Sequence, residues 1–556
     1  MSQADIDVPD VGWVSGSVAQ QIQEQSAKYG VDAKLSSYAT LTRPNEQDEL
    51  EFGGIPKEWC RAKLGEIADQ ITKGTTPTTA GFQYLDSGVP FIKIENINQH
   101  GIDLSTLPQF ISEEAHKALL RSQFQEGDVL FSIAGTIGKT ALVTQEHIPA
   151  NTNQAVAIIR GTARFLDTKF LRQQLKQSAE TIAKSNARGG AMNNISLGDL
   201  KEVDLSIPSF SEQQQIAAKL DELLTQADTL KTRLDAIPKI LKRFRQSVLV
   251  AAMNGKLTEE WRAEANITKY DIGSKLADER IKMWPGKRKY KPAISPGEID
   301  SSEFIDLPDS WLRATLDQIT WSVKDGPHFS PQYQDKGIPF ISGGSIRPGK
   351  IDLSISKYIS EELHQELSTR CKPEYHDILY TKGGTTGLAA VNTLRVDFNV
   401  WVHVAVLKLI SNNLVNPFFV QHALNSQNCY NQSQRYTHGV GNQDLGLTRM
   451  INIVLPVPPI EEQTEIVTQV EQLLTYADQI EQRVKDAQAR VNHLTQAILA
   501  KAFRGELTAD WREQNPGLIT GENSAEALLA RIKQERQLLE NNKVTNRRTI
   551  KKQVKV

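Results

Sequence analysis

Residues Ile207–Asp228 read IPSFSEQQQIAAKLDELLTQAD, and residues Val457–Asp478 read VPPIEEQTEIVTQVEQLLTYAD. The second stretch lies 250 positions after the first, and the same offset relates LVAAMNGKLTEEWR from Leu249 to LAKAFRGELTADWR from Leu499. Half of those last fourteen positions are identical. A repeat of this length indicates that one structural module is written twice in the chain.

Weaker matches join the parts of the chain that precede these stretches. At offsets of 248 to 252, they pair IPKEW at 55 with LPDSW at 307, GVPFI at 88 with GIPFI at 337, ISEEAH at 111 with ISEELH at 359, and GDVLF at 127 with HDILY at 376. Each half therefore has a divergent first part of about 150 residues and a similar second part of about 55. Similar second parts indicate the same task performed twice, whereas divergent first parts indicate two different targets.

The similar parts carry a heptad pattern, since apolar or small residues recur at alternating steps of four and three. A sustained pattern of this kind predicts a coiled coil, and we expect the two helices to pair antiparallel with each other. The alternative is that each helix packs on its own domain. Pro238 should kink or split the first helix, because proline lacks the N–H and clashes with the preceding turn. The predicted contact residues are Ile216, Leu220, Leu223, Leu230 and Leu234 in the first copy, and Ile466, Val470, Leu473, Ile480 and Val484 in the second.

The divergent parts read as mixed, β-rich domains. Short apolar runs alternate with turns rich in Gly, Asn, Thr and Pro, which is typical of strands joined by loops. The runs predicted as strands include Pro90–Ile94, Val129–Ile133 and Val402–Val406, and helices are predicted at 112–122, 167–184, 360–369 and 416–433.

The loops of both domains are rich in side chains that suit nucleic acid. Amides fit adenine edges and Arg or Lys fits guanine, whereas hydroxyls, backbone N–H groups and Lys fit phosphate. A single such loop is more often a solvated turn, so only their number favours DNA. The candidate DNA-binding residues are Lys73, Thr75, Thr76, Lys93, Asn96, Asn98, Lys139, Arg188, Asn193 and Asn194 in the first domain, and Lys324, His328, Lys382, Thr385, Arg435, His438, Asn442 and Gln443 in the second.

The composition narrows the class of protein. The 556 residues carry a net charge of −2, which counts mildly against tight DNA binding by the chain alone. Three cysteines, none in a CxxC pair, make a zinc site or a disulfide framework improbable. The acidic N-terminus does not resemble a secretory signal, and the chain lacks an apolar run long enough for a membrane span. We therefore expect a protein of the cytoplasm.

Motifs for catalysis are incomplete. The run from Ala134 to Thr140 resembles the end of a phosphate-binding loop but has Ile133 where the pattern needs glycine, so ATP binding is rejected. Asn416-Pro417-Phe418-Phe419 resembles part of an adenine methyltransferase motif, but a helix start with proline at its first position is the better interpretation. His116 and His364 recur, yet no base or nucleophile pattern accompanies them, so we expect both to be structural.

The arrangement as a whole resembles the specificity subunits of type I restriction-modification systems. The marks that carry this resemblance are Ile207-Pro208 with Glu212–Ile216, their counterparts Val457–Pro459 with Glu461–Gln463, and the helix ends Gly255–Arg262 and Gly505–Arg512. The resemblance covers about residues 55 to 512. It implies an α+β fold with two β-rich mixed target-recognition domains in a pseudo-two-fold arrangement, joined by two long antiparallel coiled-coil regions.

The resemblance also implies a domain order and partners. The expected order is an N-terminal extension (1–54), target-recognition domain 1 (55–208), a central coiled coil (209–263), a linker (264–306), target-recognition domain 2 (307–458), a distal coiled coil (459–512), and a C-terminal helix with a basic tail (513–556). The family pairs with two adenine-methylating subunits and two motor-nuclease subunits. Those partners use S-adenosylmethionine, ATP and Mg, and the specificity chain binds none of these cofactors and catalyses nothing itself.

The sequence therefore predicts a subunit that binds a bipartite double-stranded DNA site, one half-site per recognition domain, and recruits the methylating and motor-nuclease subunits. The competing hypothesis is an adaptor whose two modules, on a coiled-coil arm, grip protein or glycan instead of nucleic acid. Salt-dependent DNA binding separates the two, because neutralised phosphates release counterions.

Overall fold

The computed structural model describes residues 54–98, 101–105, 109–186, 194–265, 271–284, 289–296, 306–439 and 443–538. By the density of its internal contacts, the chain divides into two compact units. The first unit contains 54–233 together with 487–538, and the second unit contains Leu234–Asp486. Each unit therefore holds one divergent domain and part of each of two long helices.

The strands and helices follow in chain order. The strands of the first unit are β1 (Cys60–Lys63), β2 (Gln70–Lys73), β3 (Val89–Ile92), β4 (Gln109–Ile111), β5 (Val129–Ser132), β6 (Thr140–Leu142), β7 (Asn151–Thr152), β8 (Val156–Arg160) and β9 (Asp204–Ile207). Those of the second are β10 (Leu312–Thr315), β11 (Thr320–Asp325), β12 (Ile338–Ile341), β13 (Ile346–Arg347), β14 (Lys350–Ile351), β15 (Lys357–Ile359), β16 (Ile378–Thr381), β17 (Ala389–Val391), β18 (Asn399–Val400), β19 (Val404–Leu409) and β20 (Val454–Val457). The helices are α1 (Leu64–Ile67), α2 (Glu113–Ala118), α3 (Thr168–Asn186), α4 (Leu197–Lys201), α5 (Phe210–Met253), α6 (Glu259–Glu264), α7 (Ile272–Met283), α8 (Leu316–Ile319), α9 (Glu361–Arg370), α10 (Pro417–Leu424), α11 (Gln427–Tyr436), α12 (Leu447–Met450), α13 (Ile460–Phe503) and α14 (Ala509–Gln514), and 525–538 are also helical.

The two domains share one sheet topology. Each has a four-stranded antiparallel sheet, in the order β2-β8-β5-β6 or β11-β19-β16-β17, and a three-stranded sheet, in the order β4-β3-β7 or β15-β12-β18. The register repeats as well, since Phe91 lies opposite Asn151 in a parallel pair and Phe340 lies opposite Asn399 in the same way. The mixed α+β class with two similar β-rich domains is therefore confirmed.

One inner strand of each four-stranded sheet, β5 or β16, is buried on both faces. In β5, Val129 and Phe131 point into one apolar cluster with helix α3, whereas Leu130 points into another that contains Ile92 and Val156. Successive residues of a strand point to opposite faces, so a continuous apolar run is what a doubly covered strand requires. In the second domain, β16 divides its side chains between two clusters in the same manner.

The long helices α5 and α13 are each 44 residues long, or about 66 Å at 1.5 Å per residue. In the first unit, Ile216 and Leu220 near the start of α5 pack with Leu494 and Ile498 near the end of α13. In the second unit, the end of α5 and the start of α13 share a cluster that includes Val248, Ile466 and Val470. The helices are therefore antiparallel in both units, and the alternative of separate packing on individual domains is wrong.

Three predicted helices differ from those in the structure. Helix α5 passes through Pro238 without interruption, so the expected split does not occur. The single helix expected at 416–433 is two helices, α10 and α11. The chain breaks because the Asn425 side chain bonds both the N–H and the carbonyl of Ala389, at 2.9 Å each, and Ser426 caps α11 by accepting from the Cys429 N–H. The helix expected at 112–122 is α2 followed by a 3-10 turn at Leu120–Ser122.

A buried carboxylate explains the repeated sequence motifs in the first unit. Glu212 is fully buried at the start of α5, where it accepts hydrogen bonds from Trp59 Nε1 at 2.9 Å, Thr508 Oγ1 at 2.7 Å and Arg512 Nη1 at 2.7 Å. Arg512 Nη2 also donates to the carbonyl of Gly505 at 2.7 Å. We call this group the Glu212 clasp, and it ties the chain after α13 to the start of the first domain.

The second unit repeats the arrangement as the Glu462 clasp. Its carboxylate accepts from Trp311 Nε1 at 2.9 Å, from Thr258 Oγ1 at 2.8 Å and from Arg262 Nη1. Gly255 has a positive φ of 79°, and its counterpart Gly505 in the first unit has a φ of 77°, a conformation that favours glycine. Close packing against a proline is a second reason for glycine at both positions. A Cβ on Gly255 would lie 2.6 Å from Pro308 Cγ, and one on Gly505 would lie 2.4 Å from Pro56 Cγ, so the helix ends and the proline-tryptophan motifs fit only with glycine.

Candidate nucleic-acid interface

In the first domain, one edge of the four-stranded sheet carries a set of loops. Strands β2 and β5 end there, and β6 and β8 begin there, because the pairs are antiparallel. The loop after Lys73 is held tightly, since Gly74 N–H donates to the Val156 carbonyl and Thr75 N–H donates to that of Thr152. A Cβ on Gly74 would lie 2.0 Å from the Thr152 carbonyl oxygen, so this close approach requires glycine.

Two further loops reach the same edge. The Lys139 ammonium donates to the Ile94 carbonyl at 2.9 Å, which joins the loop at 133–139 to the loop at 93–98. Ile133 N–H donates to the Ala155 carbonyl, and the Ile195 N–H donates to the Ile133 carbonyl, both at 2.8 Å. The structure thus brings together segments that are up to about 120 positions apart in the chain.

The predicted residues of the first domain differ in accessibility. Lys73, Asn98 and Asn194 are exposed, whereas Asn96 is buried and accepts from the Lys93 N–H at 2.9 Å. Those of intermediate exposure are Thr75, Thr76, Lys93, with its ammonium 4.9 Å from the centre of the Tyr84 ring, and Lys139. Arg188 and Asn193 lie outside the described residues.

The second domain presents the equivalent edge. Gly326 is the counterpart of Gly74, and a Cβ on Gly326 would lie 1.8 Å from the Val400 carbonyl oxygen. Lys382 N–H donates to the His403 carbonyl, and Gly384 N–H donates to the Gln443 carbonyl at 3.1 Å. Thr386 Oγ1 accepts from Gln434 Nε2 at 3.0 Å, which attaches helix α11 to this loop cluster.

Buried charges distinguish this edge from the first. The Lys382 ammonium lies 2.8 Å from Asp444 Oδ1 and 3.5 Å from Asp325 Oδ2. Asp325 also pairs with Arg370 at 2.9 Å, and Asp444 lies 3.8 Å from the Arg449 guanidinium. We call this alternating row of five charges the Lys382 network. Burial, together with the nearby Lys382 ammonium, lowers the pKa of His403 below its ordinary value, so its ring is neutral at pH 7.

The predicted residues of the second domain again divide by accessibility. Lys382 is only 4% exposed and its ammonium is used inside the domain, contrary to its assignment as a surface contact. The other described candidates are exposed, namely Lys324, His328, Thr385, Arg435, His438 and Gln443. Asn442 lies outside the described residues.

Alignment of the two edges shows where the domains diverge. Ile133, which is 4% exposed, occupies the position of Lys382, and the exposed Lys73 occupies the position of the buried Asp325. Sequence reasoning missed Asp325, Asp444, Arg370 and Arg449 as a group. The sequence signal for this group was Lys382 itself, because the matching strand β5 of the first domain is followed by the apolar Ile133 and not by a lysine.

The motifs considered for catalysis have structural roles. His116 Nδ1 and His364 Nδ1 each lie in hydrogen-bond contact with an asparagine Oδ1, that of Asn151 or Asn399, which holds each ring within its domain. His364 is buried, although a surface helix was expected. Asn416 caps α10 by accepting from the Phe418 N–H at 2.9 Å, with Pro417 as the first helical residue, as predicted.

In the described ranges, no group of three or more His, Cys, Asp or Glu side chains is arranged to hold a metal ion. In the same residues, no helix has the length and apolar character needed to cross a membrane.

Comparison with known proteins identifies relatives of the whole arrangement. A family model described as the type I restriction modification DNA specificity domain matches residues 56–239 and 311–487. The chain is 33% identical over 512 residues to the specificity subunit of the type I restriction enzyme EcoBI of Escherichia coli, an alignment that covers 90% of this chain and 97% of that protein. It is 30% identical over 502 residues to the EcoKI specificity subunit of Escherichia coli strain K12, covering 88% and 97%.

A solved structure has the same fold. A chain from work on complex assembly and conformational transition of the type I R-M system matches with a TM-score of 0.56 and 18% identity, over 82% of this chain and all of that one.

Proposed function

Because the chain belongs to the type I restriction-modification DNA specificity family, and is a specificity subunit of such a system, we propose that it reads a bipartite double-stranded DNA site, with one half-site for each recognition domain. Recognition is by binding alone: side chains in the loops contact base edges, and backbone N–H groups and lysines fix the register on the phosphates. The chain itself catalyses no reaction.

The observation that carries the proposal is the pair of equivalent loop edges. Each lies at the corresponding end of the four-stranded sheet of its own domain, and each is built on a glycine that a residue with a side chain could not replace. The strand registers agree, whereas the residues between the strands differ, as in the exchange of Lys73 for Asp325. A shared scaffold with different loops is what two half-sites of different sequence require.

We extend the proposal to partners. The duplicated helices α5 and α13 recruit two methylating subunits, and two motor-nuclease subunits complete the enzyme in the cytoplasm. S-adenosylmethionine, ATP and Mg then belong to those subunits. Of the predicted contacts, we retain the exposed or partly exposed residues as the DNA surface: Lys73, Thr75, Thr76, Lys93, Asn98, Lys139, Asn194, Lys324, His328, Thr385, Arg435, His438 and Gln443.

The test replaces residues 55–208 by those of a homologue with another target. Methylation mapping of host genomes that carry the parent or the chimaera reports both half-sites and the spacer. We expect one half-site to change while the other half-site and the spacer stay the same. A change in both halves would contradict the assignment of one half-site to each domain.

A binding experiment tests the alternative of a non-nucleic-acid adaptor. The chain assembled with its methylating subunits should retain duplex DNA carrying the mapped site in preference to unrelated duplex, and retention should fall as salt rises. Absence of sequence-dependent retention at low salt would overturn the proposed function.

A further inference from the structure

We propose that Lys382 is a positioning residue, which fixes the reading loops of the second recognition domain and thereby determines specificity for one half-site without touching DNA. This inference rests on the proposed function. It concerns the Lys382 network, where the first domain has Ile133 at the position of Lys382 and Lys73 at the position of Asp325.

The ammonium group of Lys382 lies inside the domain. Lys382 follows directly after strand β16, and its side chain is 5% exposed. The Lys382 ammonium lies 2.8 Å from Asp444 Oδ1, 3.3 Å from the Val402 carbonyl oxygen and 3.5 Å from Asp325 Oδ2. An ammonium that is enclosed by partners in this way offers no charge to a phosphate at the surface.

The partners of the Lys382 ammonium belong to three different loops. Asp325 lies at the start of the loop that contains His328, Val402 lies in the turn before β19, and Asp444 follows the loop that begins after helix α11. The main chain of Lys382 bonds to two of these loops as well, since its N–H donates to the His403 carbonyl at 2.9 Å and its carbonyl accepts from the Leu445 N–H at 2.7 Å. One residue therefore links all three loops.

The outer end of the Lys382 network carries two exposed side chains, those of Arg370 and His328. Asp325 pairs with Arg370, whose side chain is 58% exposed, and lies 3.4 Å from His328 Nε2, whose side chain is 66% exposed. A shift of Asp325 would therefore move two exposed side chains that carry hydrogen-bond donors. Buried charges that are fully paired resist such shifts, because separating them leaves a charge without compensation.

The experiment compares Lys382→Met with Lys408→Met in the complex with methylating subunits. Lys408 is a matched control, because its ammonium also pairs with two carboxylates, Asp377 at 2.6 Å and Glu374 at 2.7 Å, but at the opposite edge of the same sheet. The probes are a duplex carrying the mapped site and a set of duplexes in which each base pair of either half-site is replaced in turn. Affinities are measured over a range of salt concentrations.

For Lys382→Met we expect discrimination among base pairs to fall about tenfold at the half-site of the second domain. Discrimination at the other half-site should be unchanged, and so should the slope of log affinity against log salt. Lys408→Met should keep the wild-type pattern at both half-sites. Unchanged discrimination in Lys382→Met would overturn the inference, as would a slope reduced by about 0.9, which is the signature of a lost phosphate contact.

A second variant keeps the inference testable if Lys382→Met does not fold. Asp444→Asn removes one partner charge at a half-exposed position and retains the shape of the side chain. It should produce the same loss at the same half-site in weaker form, and equal discrimination to wild type would contradict the inference. Wild-type protein that shows no site-specific retention would instead refute the proposed function.

Discussion

The two recognition domains share a four-stranded and a three-stranded sheet in the same register, yet different interactions hold the loops at one edge of the larger sheet. In the first domain the position after β5 is the apolar Ile133, and Lys73 extends into solvent. In the second domain the equivalent positions are Lys382 and Asp325, both buried and paired with each other. The scaffold tolerates either solution because backbone hydrogen bonds, and not these side chains, hold the strands together.

This difference shows how a duplicated domain can change its target. In the first domain Lys73 is exposed at this edge, whereas in the second the ammonium of Lys382 is buried beside Asp444 and Asp325. Buried ion pairs contribute little net stability relative to apolar side chains, so exchanging one for the other costs the fold little. The exchange instead alters which groups the edge presents.

The largest effect should come from breaking the clasps, where the two units are most alike. Glu212→Ala and Glu462→Ala should each lower the free energy of unfolding by about 3–5 kcal/mol, because each leaves a largely buried arginine without its partner. Urea unfolding of the full chain, followed by tryptophan fluorescence, measures this. Glu202→Ala, which removes an exposed pair with Lys63, should leave the free energy of unfolding close to the wild-type value. A gap of more than about 1 kcal/mol between the two clasp variants would show that the clasps are not equivalent.

The long helices differ at one position that should have the next largest effect. Pro238 is exposed inside α5, and α13 has Gln488 at the equivalent position. Pro238→Ala should restore a hydrogen bond to the Leu234 carbonyl and raise the free energy of unfolding by up to about 3 kcal/mol. Gln488→Pro should lower it by a similar amount. Thermal unfolding tests both, and a destabilised Pro238→Ala variant would mean that the surroundings require proline.

A buried histidine distinguishes the second domain by its response to pH. Burial lowers the pKa of His422 to about 4 from an ordinary value of 6.5. Between these values the unfolded chain binds a proton that the folded domain does not, so stability is lost as pH falls, by about 1.4 kcal/mol per pH unit. The first domain has Gln173 at this position. His422→Gln should remove this contribution, and an unchanged pH profile between 6.5 and 4 would contradict the assignment to His422.

The smallest effect concerns the exposed cation of the first domain. Lys73→Ala should weaken DNA binding several-fold and lower the slope of log affinity against log salt by about 0.9, as expected for one phosphate contact. Lys57→Ala removes a lysine whose side chain is 91% exposed away from the loop edge, and should leave the slope unchanged. Equal slopes for the two variants would remove Lys73 from the proposed DNA surface.

The sequence was sufficient to locate the long helices and the strands β3, β5 and β19, which overlap the predicted runs. A heptad pattern reports which face of a helix is buried, and two copies at one offset exclude chance agreement. It was not sufficient for Asn425, because that side chain ends α10 through bonds to Ala389, 36 residues away. The pairing of Lys382 could not be predicted from the sequence for the same reason. Its partners Asp325 and Asp444 lie 119 positions apart, and only the folded sheet edge brings them together. Candidate loops could thus be named from composition, whereas exposure and pairing within them depended on tertiary structure.

The two clasps also set an order of completion during synthesis. Glu462 bonds to Thr258 and Arg262, which precede it in the chain by 204 and 200 residues, whereas Glu212 must wait for Thr508 and Arg512, which follow it by 296 and 300. At about 5–20 residues per second, the ribosome takes roughly 15–60 s to deliver those partners. The first domain therefore emerges first from the ribosome but is the last to have its clasp complete. A chain that terminates before Gly505 would have a complete Glu462 clasp and an incomplete Glu212 clasp.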